Sequence, residues 1–394
     1  MDGIFFELLH KRLYIRQLKT NKQQISMKYG IITHYDVHNH GAVLQLNALI
    51  KVLKRDFGID AKALQFDKNY DFMGREMKAK YEISLKSVGI YLDYLKEKGL
   101  GCFAFNFKKK RILQAFKSSE NLIGDYYTES GSLDGVIVGS DEVFALHTGP
   151  TPVFFGHALP TEKVFSYGGC FGPTTIKEVD RLKCRAFVAS GLKSMCGLGM
   201  RDQNSVNIGA ELTGKQPVLV CDPVILYGYE KELKSKERPM KNKYMVIYSY
   251  DNYLNETHEV EAIKTYAKKY NLKIVSPGFY HKWADKSVNA DPIELLNWFQ
   301  HAECVVTNTF HGCVMSIITG REMAVKLRKG TSSHDNANKL YNLMQEYEII
   351  DRKIDDQMQL DGVFSRKVNW DAINRQIKER RANSMAYLKK MIEQ

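Results

Sequence analysis

The chain has 394 residues, 44% of them hydrophobic and 26% charged, which excludes a disordered or low-complexity protein and, at this length, sets two domains as the expectation. Its 57 Lys and Arg against 45 Asp and Glu leave a formal charge of +12, favouring polyanions, anionic lipid head groups or phosphorylated small molecules. No RNA- or DNA-reading motif accompanies basic runs such as Lys108-Lys109-Lys110-Arg111, so nucleic acid is not an expected partner.

Seven cysteines with no CxxC pair argue against a disulfide framework and point to a reducing cytoplasm. Residues 1–26 form a basic N-terminal extension whose short apolar core is interrupted by Glu7. It is too short and too charged to span a bilayer, and its charge follows the apolar core, the reverse of a secretory signal. The segment reads as a basic surface helix, a membrane-touching arm or the product of a start codon placed too early. Met27 makes a better domain start.

"KYGIITHY" (28–35) reads as a buried strand, "DVHNHG" as a turn, and "AVLQLNALIKVLKRDFG" as a helix with Val43, Leu46, Leu49, Ile50 and Leu53 at helical spacing. Strand, Gly-containing turn and helix open a doubly wound α/β domain. "GVIVGSDEVF" (135–144), "KVFSYGGCFG" (163–172) and "CGLGMRDQNS" (196–205) are further strand-to-turn transitions, and "PVLVCDPVIL" (217–226) reads as a strand. The first domain is placed at 27–228 and a charged linker at 229–243, "YEKELKSKERPMKNK". From 244 to 347 four strand-helix units follow in close alternation, "ECVVTN" and "FHGCVMSIITG" among them. That pattern predicts a parallel sheet covered on both faces. Residues 348–394 form a tail and basic helix packing back on the domains. The expected fold is therefore α/β, two Rossmann-like domains facing a cleft, with ligands outside the carboxyl ends of the strands. In "VVTNTFHG" (305–312), Thr307 and Asn308 end a strand and His311 stands in the first turn of a helix, where free N–H groups attract an anion.

The pieces "GIITHYDVHNHGAVLQLNAL", "VGSDEVF", "FSYGGCFG", "GMRDQNSV", "VCDPVIL" and "VVTNTFHG" occur in an order and spacing that resembles the polysaccharide pyruvyl transferases over nearly all of residues 27–347. The resemblance implies a GT-B-like fold with an acceptor-side first domain and a donor-side second one. It implies transfer of the pyruvyl group of phosphoenolpyruvate to two sugar hydroxyls as a ketal, in a surface polysaccharide or cell-wall glycan precursor. The family's Arg and His map onto Arg201 and His311. Its later basic residue is placed by its helix at Lys339, with Lys326, Arg328 and Lys329 as rivals.

Asn308, Thr309, Phe310 and Gly312 join these three around phosphoenolpyruvate, and Asn39, Gly41, Ser140 and Asp141 are candidates for the acceptor. Two departures stand out: Thr309 where many relatives carry Arg, and Cys170 where Ser is usual, read as a packing variation.

Phosphoenolpyruvate carries carboxylate and phosphate on one small skeleton, so its site needs convergent cations, and ketal formation needs a group titrating near neutrality. No metal or cofactor is expected, phosphoenolpyruvate serving as donor substrate. The bland alternatives are a capping or surface His311, a structural ion pair for Arg201, a solvated Lys339, Gly41 as turn geometry, and Asp141 as an N-cap. Competing functions are a GT-B glycosyltransferase using a nucleotide-activated sugar and a non-catalytic scaffold of a glycan assembly complex. The basic charge suits a polyprenyl-diphosphate-linked acceptor and peripheral contact at the inner face of the plasma membrane.

Overall fold

The computed structural model describes residues 27–67, 71–72, 75–76, 85–146, 151–327 and 337–394; the extension 1–26 lies outside them. The first sheet contains β1 (Lys28–Ile32), β2 (Asp60–Gln65), β3 (Ile123–Tyr126), β4 (Gly135–Val138), β5 (Val164–Gly169), β6 (Gly197–Met200) and β7 (Val218–Leu219). They lie in the order β3-β2-β1-β4-β5-β6-β7, all parallel. The second contains β8 (Tyr244–Tyr248), β9 (Lys273–Pro277), β10 (Lys286–Val288), β11 (Cys304–Thr307), β12 (Met323–Lys326) and β13 (Lys353–Ile354). Their order is β10-β9-β8-β11-β12-β13, again all parallel.

The helices that matter for the site are α1 (His40–Phe57), α2 (Leu85–Ser119), α3 (Gln203–Thr213), α4 (Pro223–Tyr227), α5 (Thr257–Lys269), α6 (Pro292–Gln300), α7 (Phe310–Thr319), α8 (Ala337–Glu346) and α9 (Trp370–Glu393). Strands buried on both faces need unbroken apolar runs. Every residue of Gly135–Val138, Tyr244–Tyr248 and Cys304–Thr307 is buried, so the central strands of both sheets are sandwiched between helices. Two Rossmann-like lobes result.

In each sheet the chain leaves a central strand toward one edge and returns on its other side, between β1 and β4 and between β8 and β11. Such switch points leave a crevice at the carboxyl ends of the strands. The lobes are not loosely tethered. One apolar cluster takes in Leu44 and Leu49 of α1, Val224 and Ile225 of α4, Leu295 and Phe299 of α6, and Phe310 and Met315 of α7. The last helix, α9, runs back to the first lobe, where Tyr387 donates to the Ser166 carbonyl at 2.8 Å and Ser384 accepts from the Cys221 amide at 2.9 Å.

Two local readings are corrected. "PVLVCDPVIL" is not one strand: only Val218–Leu219 pair, and Asp222 caps α4, accepting from the Val224 amide at 2.9 Å with Pro223 at the first helical position. The charged stretch after 228 begins with structure, a short helix over Glu230–Leu233 whose Leu233 is buried and whose neighbour Tyr229 donates to the Leu44 carbonyl at 2.9 Å.

Candidate active site

Arg201 follows β6 and is 5% exposed. One guanidinium nitrogen donates to Asp222 at 3.2 Å; the other donates to Asp141 at 3.1 Å and to the Cys170 sulfur at 3.0 Å. Its planar face lies 4.4 Å from the centre of the Phe310 ring, the residue before His311. The stack joins the lobes, because Arg201 and its carboxylates belong to the first and Phe310 to the second. Cys170 is thus a direct partner of Arg201 rather than a packing variation. Burial pushes its thiol up to about 12, leaving a neutral sulfur at the guanidinium.

Burial opposes the Arg201 charge, but its surroundings raise its pKa well above the ordinary value; with Cys170 neutral, the carboxylates of Asp141 and Asp222 are what hold the guanidinium charged near pH 7. Burial likewise raises the Asp141 carboxyl, and Arg201, then Lys339, outweigh it to hold Asp141 well below the usual carboxylate range. Asp141 sits at φ +73°, a conformation that costs an ordinary residue energy and that folded proteins keep mainly at functional sites. It makes an ion pair there rather than a helix cap.

Lys339 on α8 reaches Glu142 in a short ion pair, and its ammonium lies 5.8 Å from the Phe310 ring centre. Burial disfavours its charge, yet Glu142 and Asp141 raise its pKa above the ordinary value. Arg201, Phe310 and Lys339 line one cavity of about 310 Å³, together with Asp222, Glu346 and Arg380. Burial pushes the Glu346 carboxyl up to about 7, against the pull of Arg380 at 3.0 Å. It is therefore a group able to exchange a proton near neutrality.

His311 occupies the first turn of α7, 9% exposed. Its ring rests on Gly41 of α1, where a Cβ would fall 2.2 Å from the ring carbon Cγ. Its Nε2 is buried without a hydrogen-bond partner. Burial lowers its pKa, Arg201 and Lys339 act in the same direction, and Asp222 and Asp141 only partly counter them. The resting ring is accordingly neutral at pH 7, with a nitrogen unclaimed by the protein. Gly41 therefore serves the opposite lobe rather than a turn. Gly41→Ala keeps helix propensity, even gaining about 1 kcal/mol there, but displaces the ring. The expected result is at least a tenfold loss of transferase turnover, read by product formation, beside a CD melt whose midpoint falls because the displaced ring costs about 1–3 kcal/mol of packing.

The remaining candidates divide. Asn39 caps α1, accepting from the Gly41 amide at 2.8 Å, so its oxygen is engaged locally. Ser140 is buried beside Asp141, its carbonyl accepting from Thr33 at 3.1 Å. Thr309 caps α7, accepting from the Gly312 amide at 2.9 Å, and Gly312 packs where a Cβ would fall 2.0 Å from the Thr307 hydroxyl. Asn308 faces a different cavity, which it shares with Lys326. Lys326 is ion-paired there with Glu259; Arg328 and Lys329 lie outside the described residues. Sequence reasoning left Asp222, Glu142 and Glu346 without roles. The one available signal was the Asp-Pro pair at 222–223, a helix start that fixes the Asp222 carboxylate at a strand's carboxyl end.

Fold and site together define a two-lobed parallel α/β protein with a buried Arg-carboxylate cluster and a neutral imidazole where the lobes meet. The chain belongs to the polysaccharide pyruvyl transferase family, whose model matches residues 39–325. Comparison with curated proteins gives no match. Among solved structures it is similar to the UDP-GlcNAc 2-epimerase of Neisseria meningitidis bound to UDP-GlcNAc, at 9% identity and a TM-score of 0.49, over 94% of this chain and 100% of that one. The UDP-GlcNAc 2-epimerase of Methanocaldococcus jannaschii, in complex with UDP-GlcNAc and UDP, gives 13% identity and 0.48 over 92% and 100%. The glycosyltransferase SnogD of Streptomyces nogalater gives 11% and 0.40 over 91% and 96%.

Proposed function

We propose that the protein transfers the pyruvyl group of phosphoenolpyruvate to two hydroxyls of a glycan precursor, forming a ketal. Family membership supports pyruvyl transfer. The observation that carries the donor is the placement of Arg201 and Lys339 on the Phe310 ring, with His311 beside that ring and close enough to feel both charges. A guanidinium and an ammonium suit a small dianion, and an unclaimed imidazole nitrogen suits a hydroxyl that must lose its proton.

In this reading the donor's methylene carbon takes a proton from solvent, C2 becomes electrophilic, and the proton that His311 accepts in the next step is returned to solvent. One acceptor hydroxyl adds to C2 as His311 accepts its proton, and the C2–O bond to phosphate then breaks. The second hydroxyl closes the ring, its proton leaving with phosphate, so that donor plus diol gives ketal plus inorganic phosphate. Arg201 and Lys339 balance the charge that collects on the departing group. Phosphoenolpyruvate is expected to raise the melting temperature where UDP-sugars do not. With a panel of free and lipid-linked glycosides, one product should gain the mass of a pyruvate ketal. A shift with UDP-sugars alone would favour the glycosyltransferase reading.

The same reading places the protein at the inner membrane face, on an acceptor linked to polyprenyl diphosphate. No helix among the described residues is long and apolar enough to cross a membrane. The outward face of α2 beyond its break at Gly99 supports a peripheral contact: Leu100, Phe103 and Phe107 are 78%, 38% and 57% exposed and follow helical spacing, with exposed Lys108, Lys110 and Arg111 beside them. Apolar anchors flanked by cations suit an anionic leaflet. Phe103→Ser with Phe107→Ser should abolish salt-sensitive co-sedimentation with anionic vesicles while leaving turnover on a short soluble acceptor intact.

A further inference from the structure

Ketal formation puts a demand on the acceptor that the first-lobe positions do not meet. Both oxygens of the diol must bond the donor's C2, so the acceptor sugar has to enter the cavity that holds the donor. Yet Asn39 is engaged as the cap of α1, Ser140 is buried, Asp141 is ion-paired with Arg201, and Gly41 receives the His311 ring. The cavity lined by Arg201, Phe310 and Lys339 measures about 310 Å³. Small-molecule sites of that size hold ligands larger than a three-carbon acid phosphate, so a second occupant fits beside the donor.

One helix face builds the wall along which the two would lie. Lys339, Asn342, Leu343 and Glu346 all line this cavity and stand at i, i+3, i+4 and i+7 of α8, a single stripe of a helix. Seven residues carry a helix roughly 10 Å, so Lys339 marks one end of the stripe and Glu346 the other, with Asn342 between. Both polar groups beyond Lys339 keep open surface. The Glu346 side chain is 19% exposed, and that of Arg380, 3.0 Å from it, is 26% exposed. Asn342 is half-buried, and its side-chain amide bonds no described residue. The other polar groups on the walls are committed or turned out: Asp222 to Arg201 and the Val224 amide, Asp202 to the Ser205 amide at 2.8 Å, Gln203 to Asn207 at 2.8 Å, while Gln345 is exposed. Leu219, Ile225 and Leu343 add an apolar wall suited to the C–H face of a pyranose.

We infer that Asn342 and Glu346, with Arg380 beside the carboxyl, bind hydroxyls of the acceptor sugar and so select which glycan is modified. The inference rests on the pyruvyl-transfer reading and deepens it. A side-chain amide both donates and accepts, and a carboxyl beside a guanidinium offers the same two roles, the set that matches neighbouring hydroxyls. The donor then lies at the Lys339 end and the sugar at the Glu346 end. The hydroxyls turned toward Lys339 are the two that meet C2, and those held by α8 take no part in the reaction.

The test uses saturation-transfer NMR on the full chain with methyl glycosides of glucose, galactose, mannose and N-acetylglucosamine, beside the thermal shift given by phosphoenolpyruvate. At least one glycoside is expected to bind. Asn342→Ala and Glu346→Leu should each weaken that glycoside about fivefold or more, and both should keep the wild-type phosphoenolpyruvate shift. Asn342→Ala improves helix propensity and breaks no hydrogen bond, so its melting temperature should not fall, which sets a loss of binding apart from a loss of fold. The inference is overturned if no glycoside binds, if binding survives both substitutions, or if the substitutions cost the phosphoenolpyruvate shift instead, which would give this end of the cavity to the donor. A wild type without any phosphoenolpyruvate shift would remove the donor assignment, while glycoside binding lost in both variants would still place a sugar on α8.

Discussion

His311→Ala is expected to slow phosphate release from phosphoenolpyruvate on the order of 10²–10⁴-fold while the far-UV CD spectrum stays that of the parent. The ring makes no hydrogen bond through Nε2, so its removal deletes a reactive nitrogen and a packing contact with Gly41 but no polar network. The pH profile separates this role from a structural one. Burial, reinforced by Arg201 and Lys339, puts the folded-state pKa of His311 below its ordinary 6.5. A neutral base is therefore present at pH 7 and is lost as pH falls through that lowered value, and kcat/KM should decline on the acid side with an inflection below 6.5. The same shift has a stability sign. Below 6.5 the unfolded chain takes up a proton that the folded chain refuses, so the contribution of this group is present above 6.5 and lost as the medium acidifies. Full activity in His311→Ala, or an acid limb unchanged by it, would remove the imidazole from the reaction.

Arg201→Met should be the most destabilising single change in the site. On the proposed reading it weakens donor binding, and it leaves Asp222, with a side chain only 1% exposed, without its counter-charge and takes from the partly buried Asp141 its principal one. Breaking a buried ion pair from one side costs roughly 3–5 kcal/mol, which urea denaturation would show as a lower midpoint. Adding Asp222→Asn to that variant should recover part of the loss, since Asn keeps an oxygen for the Val224 amide while discarding the stranded charge. Acid should narrow the gap between wild type and Arg201→Met. The wild-type Asp141 contribution, which depends on Arg201 outweighing burial, is present above the ordinary carboxyl value of 3.8 and is lost as pH falls through the lower folded value. An Arg201→Met protein of wild-type stability would mean that the carboxylates relax to solvent.

Both lobes were legible because parallel strands and their helices write themselves in apolar runs and caps. "VVTNTFHG" combines the last three residues of a strand with a Thr cap three residues before Gly312, and it ends β11 and opens α7. "PVLVCDPVIL" failed for the complementary reason: an unbroken apolar run does not distinguish a buried strand from a buried helix, and the decisive sign was the single Asp-Pro step. His311 could be read from the sequence as the imidazole in the first turn of a helix, whereas Arg201 and Lys339 were singled out only through the resemblance to the family.

Their partners were not legible. Asp141 and Arg201 are 60 positions apart, and Glu142 and Lys339 are 197 apart, and pairings at that range are made by the fold rather than by spacing. The same holds for Gly41, whose missing side chain makes room for a ring 270 positions away.

The apolar cluster shared by α1, α4, α6 and α7 bears on how the two lobes are kept together. The exposed stretch from Lys234 to Lys243 joins them covalently but carries little of their mutual adhesion. A protease nick in that stretch would leave two fragments that co-purify and still present guanidinium and imidazole to one another, with the backbone link acting as a tether during folding rather than as a strut afterwards.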